Sequence, residues 1–270
     1  MTQRNRAEGI AIVTGATGGM GSASARALAA AGYEQLLLCD IDAARLEAVA
    51  APLRSAGTAV DVLAGNIADS AYPGKVVAAL AGRKIAAIVH TAGVGPRGGD
   101  PWKILDVNLG ATIRLVNAIR DHMANGSAAV LIASNSAWFP LPPEAAAAAG
   151  KPLRSEDVAA LAAFCPDGVV AYPLSKYGVK MLVKHEARAF GARGARIVSI
   201  SPGATDTAMV ESERAHTPNL DAMLQAQPIP RIAQPEEMAS VAVFLCSPGA
   251  SFITATDVLV DGGMVNSMGF

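Results

Sequence analysis

Short apolar runs rich in β-branched residues alternate along this chain with alanine-rich segments whose apolar residues recur at helical spacing. The runs are apolar on successive residues, as in parallel strands that are covered on both faces. Such alternation favours a doubly wound parallel sheet flanked by helices, a Rossmann-type α/β fold. The sequence predicts seven strands, at residues 10–14, 35–39, 59–63, 85–90, 129–133, 196–201 and 257–260.

Helices are expected between these strands, and several of them end in glycine, the residue preferred just after a helix. The glycines concerned are Gly32, Gly57 and Gly82. The predicted helices cover residues 20–31, 43–55, 71–81, 102–123, 172–192 and 235–245.

Two stretches depart from this alternation of strands and helices. Residues 138–170 contain a proline cluster, an alanine run and Ser155 as an expected N-cap, which together predict a helical insert. Residues 204–232 contain three prolines around a short helix at 220–224 and are expected to form a substrate lid. The length admits one or two domains, but no linker is visible, so a single domain over 1–270 is expected.

Composition excludes several classes of protein. With 51% apolar residues, 17% charged residues and a net charge of -1, the chain is neither disordered nor equipped for nucleic acid or a charged membrane surface. The three cysteines form no metal or redox motif, so we expect reduced thiols and a cytoplasmic protein. No apolar stretch is long enough to cross a membrane. The four histidines are scattered, and no metal site is expected.

A glycine-rich loop joins the first predicted strand to the first helix. It reads Thr-Gly-Ala-Thr-Gly-Gly-Met-Gly over residues 14–21. Glycines at such a turn let backbone amides face a pyrophosphate at a helix N-terminus, the arrangement of a dinucleotide site. A glycine run is a weak signal alone, since any glycine-rich turn matches some pattern.

Asp40 strengthens the interpretation of the loop, because it ends the second strand 19 residues after Gly21. A carboxylate there accepts hydrogen bonds from both hydroxyls of the adenosine ribose and repels a 2′-phosphate. The alternative is a solvated acidic turn, since Asp42 follows. Neither the loop nor the flank of Asp40 carries a cation, and Arg45 is the nearest one. The sequence therefore predicts NAD rather than NADP.

Tyr172 and Lys176 lie four residues apart in a predicted helix and so share one face. A free phenol titrates near pH ~10, and a nearby ammonium lowers the pKa of a phenol that serves as an acid or base at neutral pH. The alternative is an exposed basic row, since Lys180 and Lys184 continue the spacing. That row drifts around the helix, which predicts Lys176 inward and the others solvated.

In order and placement, the chain resembles the short-chain dehydrogenase/reductase family over nearly its whole length. The features that carry this resemblance are the 14–21 loop, Asp40, Asn108, Ser134, the Tyr172 and Lys176 pair, and Pro202 with Gly203. The resemblance implies hydride transfer between a nicotinamide cofactor and an alcohol or carbonyl substrate. It also implies a homodimer or a homotetramer.

Residue roles follow from the same resemblance. Tyr172 is then the general acid/base, Lys176 lowers its pKa and binds the nicotinamide ribose, Ser134 holds the substrate oxygen, and Asn108 supports a proton relay. Ser136 competes with Ser134 for its role. Expected cofactor contacts are Gly15, Gly19, Met20, Gly21, Asp40, Ile41, Asn66, Ile67, Ala92, Gly93, Tyr172, Lys176, Pro202, Gly203, Thr205 and Thr207.

The chain departs from the family's usual pattern at three places. His90 and Thr91 stand where two asparagines are usual, Asn66 stands where aspartate is usual, and 38 residues separate Ser134 from Tyr172. A similar insert occurs in the bacterial 3α-hydroxysteroid dehydrogenase/carbonyl reductase subgroup, which implies an apolar substrate such as a hydroxysteroid or xenobiotic carbonyl. The rival hypothesis is a dinucleotide-binding sensor or regulatory protein without turnover.

Overall fold

A computed structural model describes residues 7–268, and within this part of the chain seven parallel strands form a single sheet. Residues 1–6 and 269–270 of the predicted 1–270 domain lie outside the described residues. The sheet order β3-β2-β1-β4-β5-β6-β7 confirms the doubly wound α/β prediction. The strands are β1 (Ile10–Thr14), β2 (Gln35–Asp40), β3 (Ala59–Ala64), β4 (Ile85–His90), β5 (Met123–Ile132), β6 (Arg196–Pro202) and β7 (Asp257–Val260).

The central strands are buried on both faces, as their unbroken apolar sequences predict. In β1, Ile10 and Ile12 pack into the core on one face of the sheet, whereas Ala11 and Val13 pack into the core on the other. All four side chains are 0% exposed. The sheet is therefore the middle layer of three, with helices over both faces.

The helical segments largely follow the prediction. Gly32 and Gly57 adopt positive φ angles of 84° and 95° just after helices, the conformation in which glycine is least strained. The helices are α1 (Gly19–Ala30), α2 (Ala43–Ser55), α3 (Tyr72–Ala79), α4 (Pro101–Leu105), α5 (Ala111–Ile119), α6 (Pro143–Ala149), α7 (Gly168–Gly191), α8 (Ala208–Arg214), α9 (Leu220–Ala226), α10 (Pro235–Cys246) and α11 (Met264–Ser267). Across residues 7–268, the helices are too short or too polar to cross a bilayer.

The helix expected over 102–123 is present, with helical residues from 101 to 122, but it is not a regular α-helix throughout. A π-helical turn at Asp106–Gly110 separates α4 from α5, and β5 already begins at Met123. No local sequence signal predicts the π turn, since it depends on contacts with a neighbouring loop. Its centre is Asn108, whose side chain is held by a neighbouring loop as described below.

The insert contains α6 and a 3-10 segment at Ser155–Phe164. The N-cap of that segment is Arg154 rather than the expected Ser155, because the Asp157 carboxylate accepts a hydrogen bond from the Arg154 amide. α7 begins at Gly168, four residues earlier than predicted. Asp167 caps it by accepting a hydrogen bond from the Val170 amide at 3.0 Å.

The sheet order reverses between β1 and β4, the position at which ligands of open α/β sheets bind beyond the carboxyl ends of the strands. The glycine loop leaves β1 there, and residues 91–100 leave β4 beside it. The predicted lid at 204–232 follows β6 and contains α8 in addition to the expected short helix, α9. The elements that carry the predicted site residues therefore end at one edge of the sheet.

Candidate active site

The glycine loop is folded so tightly that its glycines are required. A Cβ atom on Gly21 would lie 2.0 Å from the carbonyl oxygen of Gly15, and Gly15 itself has a φ of +67°. The amide of Gly18 closes the turn by donating to the same carbonyl oxygen at 3.0 Å. α1 then starts at Gly19, so its first amides point out of the turn. This cradle fits the pyrophosphate of a dinucleotide.

The segment predicted to form a lid, residues 204–232, begins beside this loop. A Cβ on Gly19 would lie 2.9 Å from Cγ2 of Thr207, and Thr207 caps α8 with its hydroxyl. Thr205 is buried, and its hydroxyl donates to the carbonyl of Gly203 at 3.1 Å. The backbone of Gly203, after the buried Pro202, donates to β7. The structure thus brings Thr207 next to the glycine loop, whereas Gly203 and Thr205 lie between this contact and β7.

Asp40 is tied to the loop through its carboxylate. One oxygen accepts the Thr17 amide at 2.9 Å and the other accepts the Ile41 amide at 2.7 Å. The carbonyl of Thr17 accepts a hydrogen bond from Arg45 at 3.0 Å, which brings this cation, on α2, near Asp40. Asp40 is half-buried, while Ile41 is exposed at the rim. The carboxylate is therefore oriented at the place expected for an adenosine ribose.

The remaining predicted cofactor contacts lie around this carboxylate and loop. The Asn66 side chain accepts the Ala68 amide at 3.0 Å and so shapes the turn after β3. Ile67 is half-buried against the core on one face of the sheet, and Met20 is half-buried at the start of α1. Ala92 lies against the glycine loop, since a Cβ on Gly15 would lie 2.7 Å from its amide nitrogen.

Asn108 is buried in the π turn and holds the loop after β4. Its Oδ1 accepts the Val94 amide at 2.8 Å, and its Nδ2 donates to the Val94 carbonyl at 3.0 Å. The same Nδ2 donates to the hydroxyl of Ser175 on α7 at 3.2 Å. A Cβ on Gly93 would lie 3.0 Å from Oδ1 and 3.4 Å from the Lys176 ammonium. Asn108 and Lys176 therefore flank Gly93.

His90 connects the glycine loop to the π turn, which sequence reasoning missed. Thr112 donates to the Asn108 carbonyl at 2.7 Å, so its single proton is used and its oxygen accepts from Nε2 of His90 at 2.9 Å. Nδ1 of His90 then accepts the hydroxyl proton of Thr14, at 2.6 Å. Burial lowers the pKa of His90 to about 3. His90 is thus a neutral, fixed tautomer.

Ser134 presents its hydroxyl proton to the centre of the site. Its oxygen accepts two hydrogen bonds from Ser136, from the amide at 3.1 Å and from the hydroxyl at 3.0 Å. The Ser134 hydroxyl lies near the phenol of Tyr172 and works to lower the pKa of that phenol. Ser136 therefore supports Ser134, and the structure gives no direct contact of Ser136 with Tyr172.

Tyr172 and Lys176 share one face of α7, with the ammonium 5.7 Å from the centre of the phenol ring. Burial raises the pKa of Tyr172, and the negative charge of Glu213 raises it further. Burial lowers the pKa of Lys176 from 10.5 to about 8, and its Nζ donates to the Ile132 carbonyl at 3.0 Å.

Lys180 is buried, so the prediction that it is solvated is wrong. Its ammonium lies 3.6 Å from the centre of the Trp138 ring and donates to the Ala137 carbonyl at 3.2 Å. The indole nitrogen donates to Asp257 of β7 at 2.8 Å. A cation over an indole face replaces part of the hydration that the ammonium loses. This contact fastens the turn that carries Ser134 onto α7.

A family model described as short chain dehydrogenase matches residues 9–152, and one described as enoyl-(acyl carrier protein) reductase matches residues 157–265. The chain belongs to the short-chain dehydrogenase family. It is thus a member of a family of oxidoreductases that act on alcohols and carbonyls with a nicotinamide dinucleotide.

Three relatives illustrate the range of this short-chain dehydrogenase family. The chain is 32% identical to D-threitol dehydrogenase of Mycolicibacterium smegmatis, over 94% of this chain and 92% of that protein. It is 29% identical to 3-alpha-hydroxysteroid dehydrogenase/carbonyl reductase of Comamonas testosteroni, over 94% and 96%. The crystal structure of 3-alpha-hydroxysteroid dehydrogenase from Pseudomonas sp. B-0831 complexed with NADH has a TM-score of 0.78 and 25% identity, covering 96% and 98%. These relatives bear out the predicted resemblance to the hydroxysteroid dehydrogenase/carbonyl reductase subgroup.

Proposed function

We propose that this short-chain dehydrogenase transfers hydride between NAD(H) and a secondary alcohol or ketone. The observation that carries the proposal is the proximity of the Ser134 hydroxyl to the Tyr172 phenol, with the buried ammonium of Lys176 5.7 Å from the centre of the same ring. The nicotinamide supplies the hydride acceptor or donor when the cofactor is bound. Its dinucleotide would be held by the glycine cradle, by Asp40 and by the residues around Gly93.

The protein's own groups handle the proton. Because both lone pairs of the Ser134 oxygen are used by Ser136, its hydroxyl proton is directed at Tyr172 and at a substrate oxygen beside it. In ketone reduction, the phenol of Tyr172 donates its proton to the carbonyl oxygen. In alcohol oxidation, the phenolate removes the hydroxyl proton. The raised pKa of Tyr172 keeps the phenol protonated, which is the form that reduction requires.

Lys176 and Asn108 support this chemistry from the other side. The ammonium is fixed by the Ile132 carbonyl and flanks Gly93, so it is placed to bind a ribose hydroxyl and to stabilise negative charge on Tyr172. Asn108 holds the loop after β4 through two hydrogen bonds to Val94. We propose that the proton relay predicted from the family resemblance passes beside this asparagine.

NAD is the proposed cofactor because a carboxylate at the end of β2, here Asp40, would repel a 2′-phosphate. Arg45 is the group that opposes this assignment, since its guanidinium lies on the Thr17 carbonyl next to Asp40. A carboxylate that is fixed by two amides accepts ribose hydroxyls without reorganisation, which favours NAD.

We also propose that the part of the substrate away from its hydroxyl group is apolar. Met209 of the lid lies 3.1 Å from a Cβ position on Gly95, so a thioether side chain meets the loop after β4 at the mouth of the site. The hydroxysteroid relatives have substrates of this kind by name, whereas threitol is a polyol. A secondary alcohol on an apolar ring is therefore the substrate class we propose.

We propose the same oligomeric state and cellular location that the sequence predicts. A homodimer or homotetramer in the cytoplasm is consistent with the family and with three buried free cysteines. The rival role, a sensor without turnover, is disfavoured by the intact contact between Ser134 and Tyr172.

The test pairs cofactor binding with turnover. Thermal-shift titrations with NAD and NADP, on the wild type and on Asp40→Ala, are followed by absorbance assays with cyclohexanol and a hydroxysteroid. We expect NAD to stabilise the wild type more than NADP, and Asp40→Ala to lose this preference. Stronger stabilisation by NADP would refute the cofactor assignment, and binding without any turnover would favour the sensor.

A further inference from the structure

One face of the lid helix α8 carries a carboxylate to the mouth of the site. Met209 and Glu213 are four residues apart on α8 and both lie against Gly95, with Oε1 of Glu213 3.8 Å from a Cβ position on that glycine. Gly93, two residues earlier in the same loop, flanks the Lys176 ammonium. Glu213 is therefore part of the wall of the reaction site rather than an outer surface residue.

The charge of Glu213 reaches the reacting hydroxyl. After burial, the negative charge of Glu213 contributes to the raised pKa of Tyr172. The Glu213 side chain is 20% exposed, so it is accessible to a molecule that enters the site. A carboxylate at this place hinders formation of the Tyr172 phenolate. A role in substrate recognition accounts for its presence there.

Arg97 is the cationic partner of this carboxylate, and the pair is loose. Its Nε lies 3.5 Å from Oε2 of Glu213, and the Arg97 side chain is 42% exposed. An ion pair of this length and exposure contributes little stability, so it is readily exchanged for another partner. The other oxygen, Oε1, faces the loop after β4. The pair thus leaves Glu213 able to accept a hydrogen bond from a ligand.

We propose that Glu213 binds a second hydroxyl group of the substrate, so that the preferred substrate is a diol whose other hydroxyl is oxidised at Tyr172. This inference rests on the proposed alcohol oxidation and narrows its substrate class. A carboxylate accepts hydrogen bonds and donates none when ionised, so a hydroxyl donor is the group that it recognises. The adjacent Met209 packs against the carbon skeleton between the two hydroxyls.

The experiment compares cyclohexanol with the 1,2-, 1,3- and 1,4-cyclohexanediols, each as cis and trans isomers, in NAD-dependent oxidation. We expect at least one diol to have a kcat/KM roughly 10- to 100-fold above that of cyclohexanol, as a charge-assisted hydrogen bond provides. Glu213→Leu should lower this ratio toward one, because the acceptor for the second hydroxyl is lost. Glu213→Gln, which keeps an acceptor, should retain an intermediate ratio.

Arg97→Met is the matched control, because it breaks the same ion pair but leaves the carboxylate. The diol preference should persist or rise in this variant. Equal losses for every substrate in Arg97→Met and Glu213→Leu would show that the pair only fastens the lid, and would overturn the proposal. A preference for a carboxylated alcohol that Arg97→Met abolishes would also overturn it. Wild-type turnover without diol preference refutes the diol proposal alone, whereas no oxidation of any alcohol refutes the proposed function as well.

Discussion

Acid is expected to destabilise the protein through His90, the buried histidine that joins the glycine loop to the π turn. Burial lowers the pKa of His90 from 6.5 to about 3 in the folded protein. In the unfolded chain, histidine takes up a proton near its ordinary pKa of about 6.5. Between these values the unfolded state binds more protons, so the free energy of unfolding falls as the pH falls.

The size of the effect follows from the two pKa values. At pH 7 the unfolded histidine is mostly neutral, and at pH 5 it is almost fully charged, while folded His90 is neutral at both. Proton linkage then gives a loss of about 2 kcal/mol in the free energy of unfolding between pH 7 and pH 5. The loss continues toward the folded pKa near 3.

Urea denaturation of the wild type and of His90→Asn at pH 7, 6 and 5 measures the part of the free energy of unfolding that depends on protonation of His90. Asparagine does not titrate, and the carboxylates titrate in both proteins, so the difference between the two pH profiles isolates His90. We expect the wild type to lose about 2 kcal/mol more than the variant. Parallel profiles, or ring-proton NMR showing that folded His90 titrates near pH 6, would refute the reasoning.

Two further substitutions test the site. Gly21→Ala places a Cβ 2.0 Å from the Gly15 carbonyl oxygen and should abolish stabilisation by NAD in thermal-shift assays. Gly74→Ala is its control, because no atom lies within 4 Å of that Cβ, and unchanged stabilisation of Gly21→Ala would contradict the cradle. Ser136→Ala removes one of two donors to Ser134 and should lower kcat roughly fivefold, an effect of about 1 kcal/mol. An unchanged kcat would show that catalysis does not require the Ser136 hydroxyl to orient the Ser134 hydroxyl.

The sheet was predictable because each strand is read from a local pattern. β1, β4 and β7 have the predicted bounds, since their apolar runs are bordered by glycine or by polar residues. The glycine loop was predictable because a positive φ and a close backbone approach admit only glycine. Asp40 was predictable from its place at the end of the second strand, 19 residues after Gly21. The family resemblance located Ser134 and Tyr172, which no local pattern would have paired.

The missed features depend on contacts between distant segments. The π turn is held by Asn108 and Val94, 14 residues apart, and by Thr112, which bonds to His90. Lys180 is buried because the Trp138 ring covers it, a contact that helical periodicity does not encode. Glu213 was overlooked because its neighbours on α8 are charged and exposed. The i, i+4 spacing from Met209 was the available signal.

The most direct test of the proposed chemistry is Tyr172→Phe. This change removes one oxygen and keeps the ring, so NADH binding, followed by fluorescence titration, should remain within about twofold of the wild type. Turnover of any secondary alcohol that the wild type oxidises should fall by a factor of about 10³, the range expected when a general acid/base is removed. A variant that binds NADH and keeps turnover within tenfold of the wild type would contradict the assignment of Tyr172 as the proton-transferring group.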